Sequence, residues 1–217
     1  MISSHEINYY ILVFKLQVTG LAKRFGDRKV FSGLSFELAT GDSLAVVGPN
    51  GSGKSTLLMT LLALYRPTKG RVNFLENEHS LAEPQVRAGT SFVSPYLNLY
   101  DQLTAEENLK FFSTVSGRGV TGKEINRLLK KVGLEGRGYD LVAQYSSGMK
   151  QRLKYAVALL KDPAYLIIDE PTANLDEEGK QLVADIIKKH RSQCITIVAT
   201  NDEKEGRLAE KQLRLGQ

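Results

Sequence analysis

The sequence predicts an α/β fold: a mainly parallel sheet flanked by helices, an N-terminal antiparallel β portion and an inserted helical lobe. Three observations lead there. Residues 165–168 and 194–199 are continuous apolar runs rich in β-branched residues, without polar alternation, as in strands buried on both faces. Between them, residues 177–189 carry Leu182, Val183, Ile186 and Ile187 at helical spacing, which makes a strand–helix–strand unit of about 35 residues. The middle of the chain differs: it reads as helices at 105–115, 123–132 and 147–160. Gly-rich loops separate them, Ser116-Gly117-Arg118-Gly119 and Gly133-Leu134-Glu135-Gly136.

Taken in order, residues 1–14 lack the basic start of a signal peptide. Tyr9-Tyr10-Ile11-Leu12-Val13-Phe14 is short and β-rich, so the stretch reads as a loose end leading into a strand, with a start codon misassigned upstream as the alternative. Further strands are expected at 16–21, 35–38, 43–47 and 71–74. The chain is then one domain, residues 1–217, with its core at about 15–93 and 159–217 and its helical lobe at about 94–158.

Composition narrows the class. The 217 residues are 42% hydrophobic and 24% charged, which excludes a disordered tail, a collagen repeat and a disulfide scaffold. Cys194 is the only cysteine, so no intrachain disulfide can form. No apolar run approaches the roughly 20 residues that span a bilayer, so work at a membrane needs a spanning partner. The net charge of +5 comes from scattered residues, with pairs such as Lys130-Lys131 and Lys188-Lys189 beside apolar helical positions. That reads as a solvated mixed surface; no nucleic-acid partner is expected. The weak basicity also suits an anionic membrane face.

Gly48-Pro49-Asn50-Gly51-Ser52-Gly53-Lys54-Ser55 fits the pattern G-x-x-x-x-G-K-[ST]. It follows the apolar strand Leu44-Ala45-Val46-Val47 and opens a helical run at 56–64, beginning with Thr56. Glycines let backbone N–H groups turn toward phosphate oxygens, and the helix N-terminus adds unpaired donors and a favourable dipole. Lys54 is placed to reach the β- and γ-phosphates, and Ser55 to put its hydroxyl on Mg²⁺. The bland alternative is a Gly-rich strand-to-helix turn, which both correct flanks disfavour. Kinases, GTPases, helicases and transport ATPases share this loop, so it does not name the reaction.

Leu166-Ile167-Ile168-Asp169-Glu170 ends a strand in two carboxylates. An Asp there can hold Mg²⁺ through its water shell, and the Glu can orient or deprotonate an attacking water. A polar turn after a strand is the simpler reading of these residues alone. Upstream, Tyr145-Ser146-Ser147-Gly148-Met149-Lys150-Gln151-Arg152 resembles the Leu-Ser-Gly-Gly-Gln signature of the ATP-binding-cassette (ABC) ATPases. Pro171-Thr172-Ala173-Asn174-Leu175-Asp176 is similar to the D-loop of that family. Phe25 resembles the aromatic that stacks on adenine there; an ordinary core Phe is an equal alternative. Leu103-Thr104-Ala105-Glu106-Glu107-Asn108-Leu109 looks like the entry to the helical lobe and is also a capping box. The resemblance covers residues 16–215.

It implies a P-loop NTPase core and a Mg²⁺-dependent ATPase that serves as the nucleotide-binding subunit of an ABC transporter. The implied roles are Lys54, Glu170 and Asn201 in catalysis, Ser55 and Asp169 on the metal, and Phe25, residues 48–56 and Ser146, Ser147 and Gly148 on ATP. The implied partners are transmembrane subunits and a second ATP-binding subunit, identical or not, whose signature completes each site. The implied place is the cytoplasmic face of the membrane, reached through those partners. The compact single cassette resembles haem-exporter-like and other short bacterial export ATPases. A soluble ABC ATPase, a slow ATP-binding switch and an unrelated P-loop kinase are the rival readings.

The chain departs from the family pattern at two places. Pro95 stands at the hinge where the family has Gln, with Ser94 the nearest polar substitute, and proline offers no side-chain donor or acceptor. Asn201 stands where the family has a His on the γ-phosphate; it can donate an N–H but carries no proton or charge. Slower hydrolysis follows from both. In the signature, Ser147 replaces Gly and Met149 replaces Gln, while Gly148 is kept.

Overall fold

The computed structural model describes residues 13–190 and 192–216. The loose end expected at the N-terminus therefore lies outside the described residues, apart from Val13 and Phe14. From there the chain is extended: β1 (Phe14–Phe25) and β2 (Arg28–Ala39) form an antiparallel hairpin. The strands expected at 16–21 and 35–38 are parts of this longer pair. Its apolar alternation changes phase near Gly20, where a register irregularity separates buried Val18 from buried Leu21. A break of phase of that kind hides a long strand from a period-two reading.

β3 (Ser43–Val47) leads into α1 (Lys54–Leu61), two residues earlier than the expected helix start. β4 (Lys69–Glu76), β5 (His79–Ser80), α2 (Glu83–Gly89) and β6 (Thr90–Val93) follow. The helices α3 (Ala105–Val115), α4 (Gly122–Lys131) and α5 (Ser147–Leu159) come next. The chain then alternates β7 (Tyr165–Asp169), α6 (Glu177–His190), β8 (Ile195–Thr200), α7 (Glu203–Gly206) and β9 (Lys211–Arg214). α3 and α4 each start with a threonine cap. Thr104 Oγ1 accepts from Glu107 N at 3.2 Å, and Thr121 Oγ1 from Glu124 N at 3.3 Å, with each Glu reaching back to the cap N–H. No helix among the described residues is long and apolar enough to cross a membrane.

Two sheets result. One is antiparallel, in the order β2-β1-β4-β5, and the other is parallel, in the order β6-β7-β8-β3-β9. One apolar cluster joins the two sheets and α1, and a second joins α3, α4, α5 and α6 to the parallel sheet. Tyr165 ties the sheets together. Its ring meets Phe74 and Phe14 edge-on at 4.8 and 5.8 Å, and its hydroxyl donates toward the carbonyls of Leu75 and Lys15, at 3.1 and 3.2 Å. A buried hydroxyl so satisfied adds direction to an otherwise apolar contact.

α4 meets α6 through a polar contact. Lys131 Nζ lies 2.9 Å from His190 Nε2, and His190 Nδ1 lies 2.9 Å from the carbonyl of Ile186. The ring is therefore neutral, donating from Nδ1 and accepting from the ammonium at Nε2. Burial holds His190 below its ordinary value, the Ile186 carbonyl opposes that, Lys131 and Lys189 reinforce it, and Asp162 opposes it. Burial also lowers Lys131, with Lys189 and Arg127 adding to the effect and Asp162 opposing it. An unfolded His takes up a proton below 6.5 while the folded ring resists, so this contribution is complete above 6.5 and is lost as the pH falls below it. The thermal unfolding midpoint should fall between about pH 7 and about pH 5.5 by more in wild type than in His190→Gln. Equal falls in the two proteins would discount the contact.

Candidate active site

The parallel sheet brings three strand ends to one edge. Val47 pairs with Thr200 and Asp169 with Ala199, so Gly48, Asn201 and Glu170 all leave the sheet side by side. Open parallel sheets place their sites at this carboxyl edge. The loop after β3 wraps back to start α1 at Gly53, whose φ of 101° is left-handed. A Cβ there would come within 2.4 Å of Val30 Cγ1, and one at Gly48 within 2.4 Å of the Leu215 carbonyl oxygen. Only glycine fits the chain path at these two positions. Lys54 is buried at 6% exposure; its ammonium donates to the carbonyls of Gly48 (2.9 Å) and Pro49 (3.3 Å) and sits 3.9 Å from Glu170 Oε1.

The two carboxylates differ. Asp169 is 2% exposed, and its Oδ1 is buried without a hydrogen-bond partner. Burial raises its affinity for a proton, and the Ser55 hydroxyl and Lys54 pull it back down. An unpartnered buried carboxylate oxygen beside a hydroxyl suits a hard divalent cation. Glu170 is half-buried and adopts a left-handed φ of 51°, with its N–H donating to the Ala199 carbonyl at 2.8 Å. Burial raises Glu170; Lys54 opposes it, Asp169 and Glu205 add to it, and the backbone N–H of Asn201 opposes it. The left-handed turn carries the side chain away from the path of β7, a conformation that L-residues hold only where the surroundings fix it.

Phe25, Asn50, Gly51, Gly53, Lys54, Ser55, Thr56, Asp169, Glu170 and Asn201 line one cavity of about 610 Å³. Gly48, Pro49 and Ser52 belong to the same loop without lining it. Phe25 is 48% exposed and is no core residue. Lys23 Nζ stands 4.6 Å from its ring centroid, and Tyr65 meets it edge-on at 5.6 Å. Arg28, Val30 and Tyr96 also line the cavity and were not foreseen. Arg28 was legible: Gly26-Asp27 is a two-residue hairpin loop, which sets Arg28 opposite Phe25. Tyr96 had no comparable signal.

Three expected residues lie elsewhere. Ser146 caps α5, accepting from Met149 N at 3.2 Å, and Ser147 lines a separate cavity of about 320 Å³ together with Asn174. None of Ser146, Ser147 and Gly148 lines the larger cavity. Pro95 lines both cavities. Ser94 does not stand in for the missing Gln: it is 1% exposed, and its hydroxyl accepts from Tyr96 N at 3.1 Å. Instead Lys154, on α5, donates to the carbonyls of Ser94 (3.2 Å) and Pro95 (2.8 Å). Asn201 Nδ2 donates to Asn50 Oδ1 at 3.1 Å, tying the end of β8 to the loop.

Comparison with known proteins agrees with this geometry. A family profile described as ABC transporter matches residues 31–173. The chain is 36% identical over 186 residues to the lantibiotic transport ATP-binding protein SrtF of Streptococcus pyogenes, covering 86% of this chain and 79% of that one. It is 35% identical to the Nod factor export ATP-binding protein I of Rhizobium sp. (strain N33), covering 85% of this chain and 62% of that relative. Among solved structures, a dimeric ATP-binding cassette in a post-hydrolysis state bound to ADP and Pi superposes with a TM-score of 0.79 at 26% identity, over 92% of this chain and 94% of that one. A bacterial Atm1-family ABC exporter with ATP bound gives 0.78 at 26% identity, over 93% and 37%. Matched by the family profile over residues 31–173 and by relatives at 35–36% identity over about 85% of its length, the chain belongs to the ABC transporter family, among its ATP-binding subunits.

Proposed function

We propose that this chain binds and hydrolyses ATP with Mg²⁺ to drive export through membrane-spanning partner subunits, at the cytoplasmic face of the membrane. The observation that carries the arrangement is the separation of Ser146, Ser147 and Gly148 from the cavity lined by Lys54 and Glu170. A second ATP-binding subunit, taken here as a second copy, supplies the signature across the nucleotide. Contacts made only in that closed pair favour closure, and hydrolysis removes them. Residues 94–158 act in this scheme as a lobe distinct from the core. The direction of transport follows the names of relatives, which include Nod factor export and daunorubicin resistance ATP-binding proteins.

The residues divide the work as follows. Lys54 exchanges the Gly48 and Pro49 carbonyls for β- and γ-phosphate oxygens, while the N-terminus of α1 adds its unpaired N–H groups. Ser55 and Asp169 hold Mg²⁺, which neutralises phosphate charge when bound. Glu170, with its proton affinity raised by burial, takes the proton of the attacking water. Asn201 turns its amide N–H from Asn50 to the γ-phosphate. Phe25 stacks on adenine with the face that Lys23 leaves open. The absence of a side-chain donor at Pro95 and of a titratable group at Asn201 favours slow turnover. The second reading is therefore an ATP-binding switch with little hydrolysis.

Glu170→Gln should lower kcat by about 10²- to 10⁴-fold while ATP binding persists and dimers accumulate with ATP and Mg²⁺. A mutant as fast as wild type would remove Glu170 as the base. Asn201→His should raise kcat, and an unchanged or slower rate would remove the argument from Asn201. Tagged chain recovered from gently solubilised membranes of its own cell should bring down a multi-span protein in stoichiometric amount. Recovery from the soluble fraction alone would defeat the transport reading and leave the ATP site standing.

A further inference from the structure

Two segments that carry reacting groups end in threonine hydroxyls that share one acceptor. Thr172, two residues beyond Glu170, donates to Glu205 Oε1, and Thr200, just before Asn201, donates to Glu205 Oε2. Thr200 is fully buried, and its Oγ1 also accepts from Asp202 N at 3.0 Å, which shapes the turn that presents Asn201. Among the described residues no ion pair reaches Glu205. Each carboxylate oxygen is engaged by a neutral hydroxyl, in hydrogen bonds stronger than neutral pairs make.

The base of this clamp is fixed. Glu205 lies on α7, which packs against β3 and β8. A Cβ on the next residue, Gly206, would come within 3.0 Å of Val47 Cγ2, so the short helix rests on the last residue before the phosphate loop. The other side of the Glu170–Thr172 turn is held by the Tyr155 hydroxyl, which donates to the Pro171 carbonyl at 2.7 Å. Glu205 also adds negative charge near Glu170 and raises its proton affinity. Stability alone disfavours a third carboxylate there.

We propose that Glu205 is a positioning residue for ATP hydrolysis: its carboxylate, held by the Thr172 and Thr200 hydroxyls, fixes the turn carrying Glu170 relative to the strand end carrying Asn201. The inference rests on the hydrolytic reading of the site. Glu205 does not line the cavity that Lys54 and Glu170 line, and it acts through the two threonines. Misplacement of a reacting group by about an ångström can cost about 10²-fold in rate. The phosphate loop, which binds the nucleotide, keeps its own contacts when the clamp is removed.

The test uses the whole chain with Mg-ATP, measuring kcat, KM and the Kd of a fluorescent ATP analogue. Glu205→Ala should lower kcat by about 10- to 100-fold, with KM and Kd within about two-fold of wild type. Glu205→Gln, which keeps an accepting oxygen, should recover most of the loss. Thr172→Val guards against a folding defect at Glu205: it should lower kcat similarly and add little to Glu205→Ala in the double mutant. A kcat within about two-fold of wild type in Glu205→Ala, losses that multiply in the double mutant, or a Kd that weakens in step with kcat each overturn the proposal. A wild-type chain that binds ATP and hydrolyses none overturns both this inference and the hydrolytic reading, which tells the two failures apart.

Discussion

β3, β7 and β8 are buried on both faces along their whole length. Helices or the second sheet cover each face, so side chains between the strand ends must be almost wholly apolar. Charge can enter only where the strands stop, and parallel pairing in register makes all three stop at the same edge. The apolar core and the charged site are thus two results of one constraint. Asp169 and Glu170 stand where β7 reaches that edge, and the loop after β3 wraps back to bring Lys54, at the start of α1, beside them. The desolvation that raises Asp169 and Glu170 comes from that same burial.

The edge is held by polar contacts that cross between segments. Lys54 spans the loop carbonyls and approaches Glu170, Asn201 spans from β8 to Asn50, and the Tyr155 hydroxyl meets the Pro171 carbonyl. Each joins pieces of chain that are remote in sequence. Such contacts contribute modest stability and narrow the range of geometries that the reacting groups can take. On the far side of the sheet, Tyr165 does for the antiparallel layer what these contacts do for the site. It converts an apolar layer contact into one with a defined orientation.

What was legible in the sequence follows from how local each signal is. The phosphate loop and the Asp169-Glu170 pair are contiguous motifs with a strand before them, and the structure places them as their flanks implied. The Thr104 cap was legible for the same reason. The hairpin was visible only in part, because the irregularity near Gly20 breaks the alternation of β1. β6 and β9 are four residues each, too short for a pattern to stand out. Ser94, the nearest polar residue to the Gln position, is a different case: it lines neither cavity. Distance along the chain suggested it, but its hydroxyl is engaged by Tyr96 N, and the contact at the hinge comes from Lys154, 60 residues away.

That lysine carries a mechanical consequence. Its ammonium is held by two carbonyl oxygens, and burial alone lowers its proton affinity, with no carboxylate opposing it. Carbonyls grip an ammonium more loosely than a carboxylate does, and water replaces them at small cost once the gap opens. The link between α5 and the Pro95 segment is therefore made of hydrogen bonds to carbonyls and not of an ion pair. A rigid proline on one side and a long flexible side chain on the other put the compliance of the joint almost entirely in the lysine.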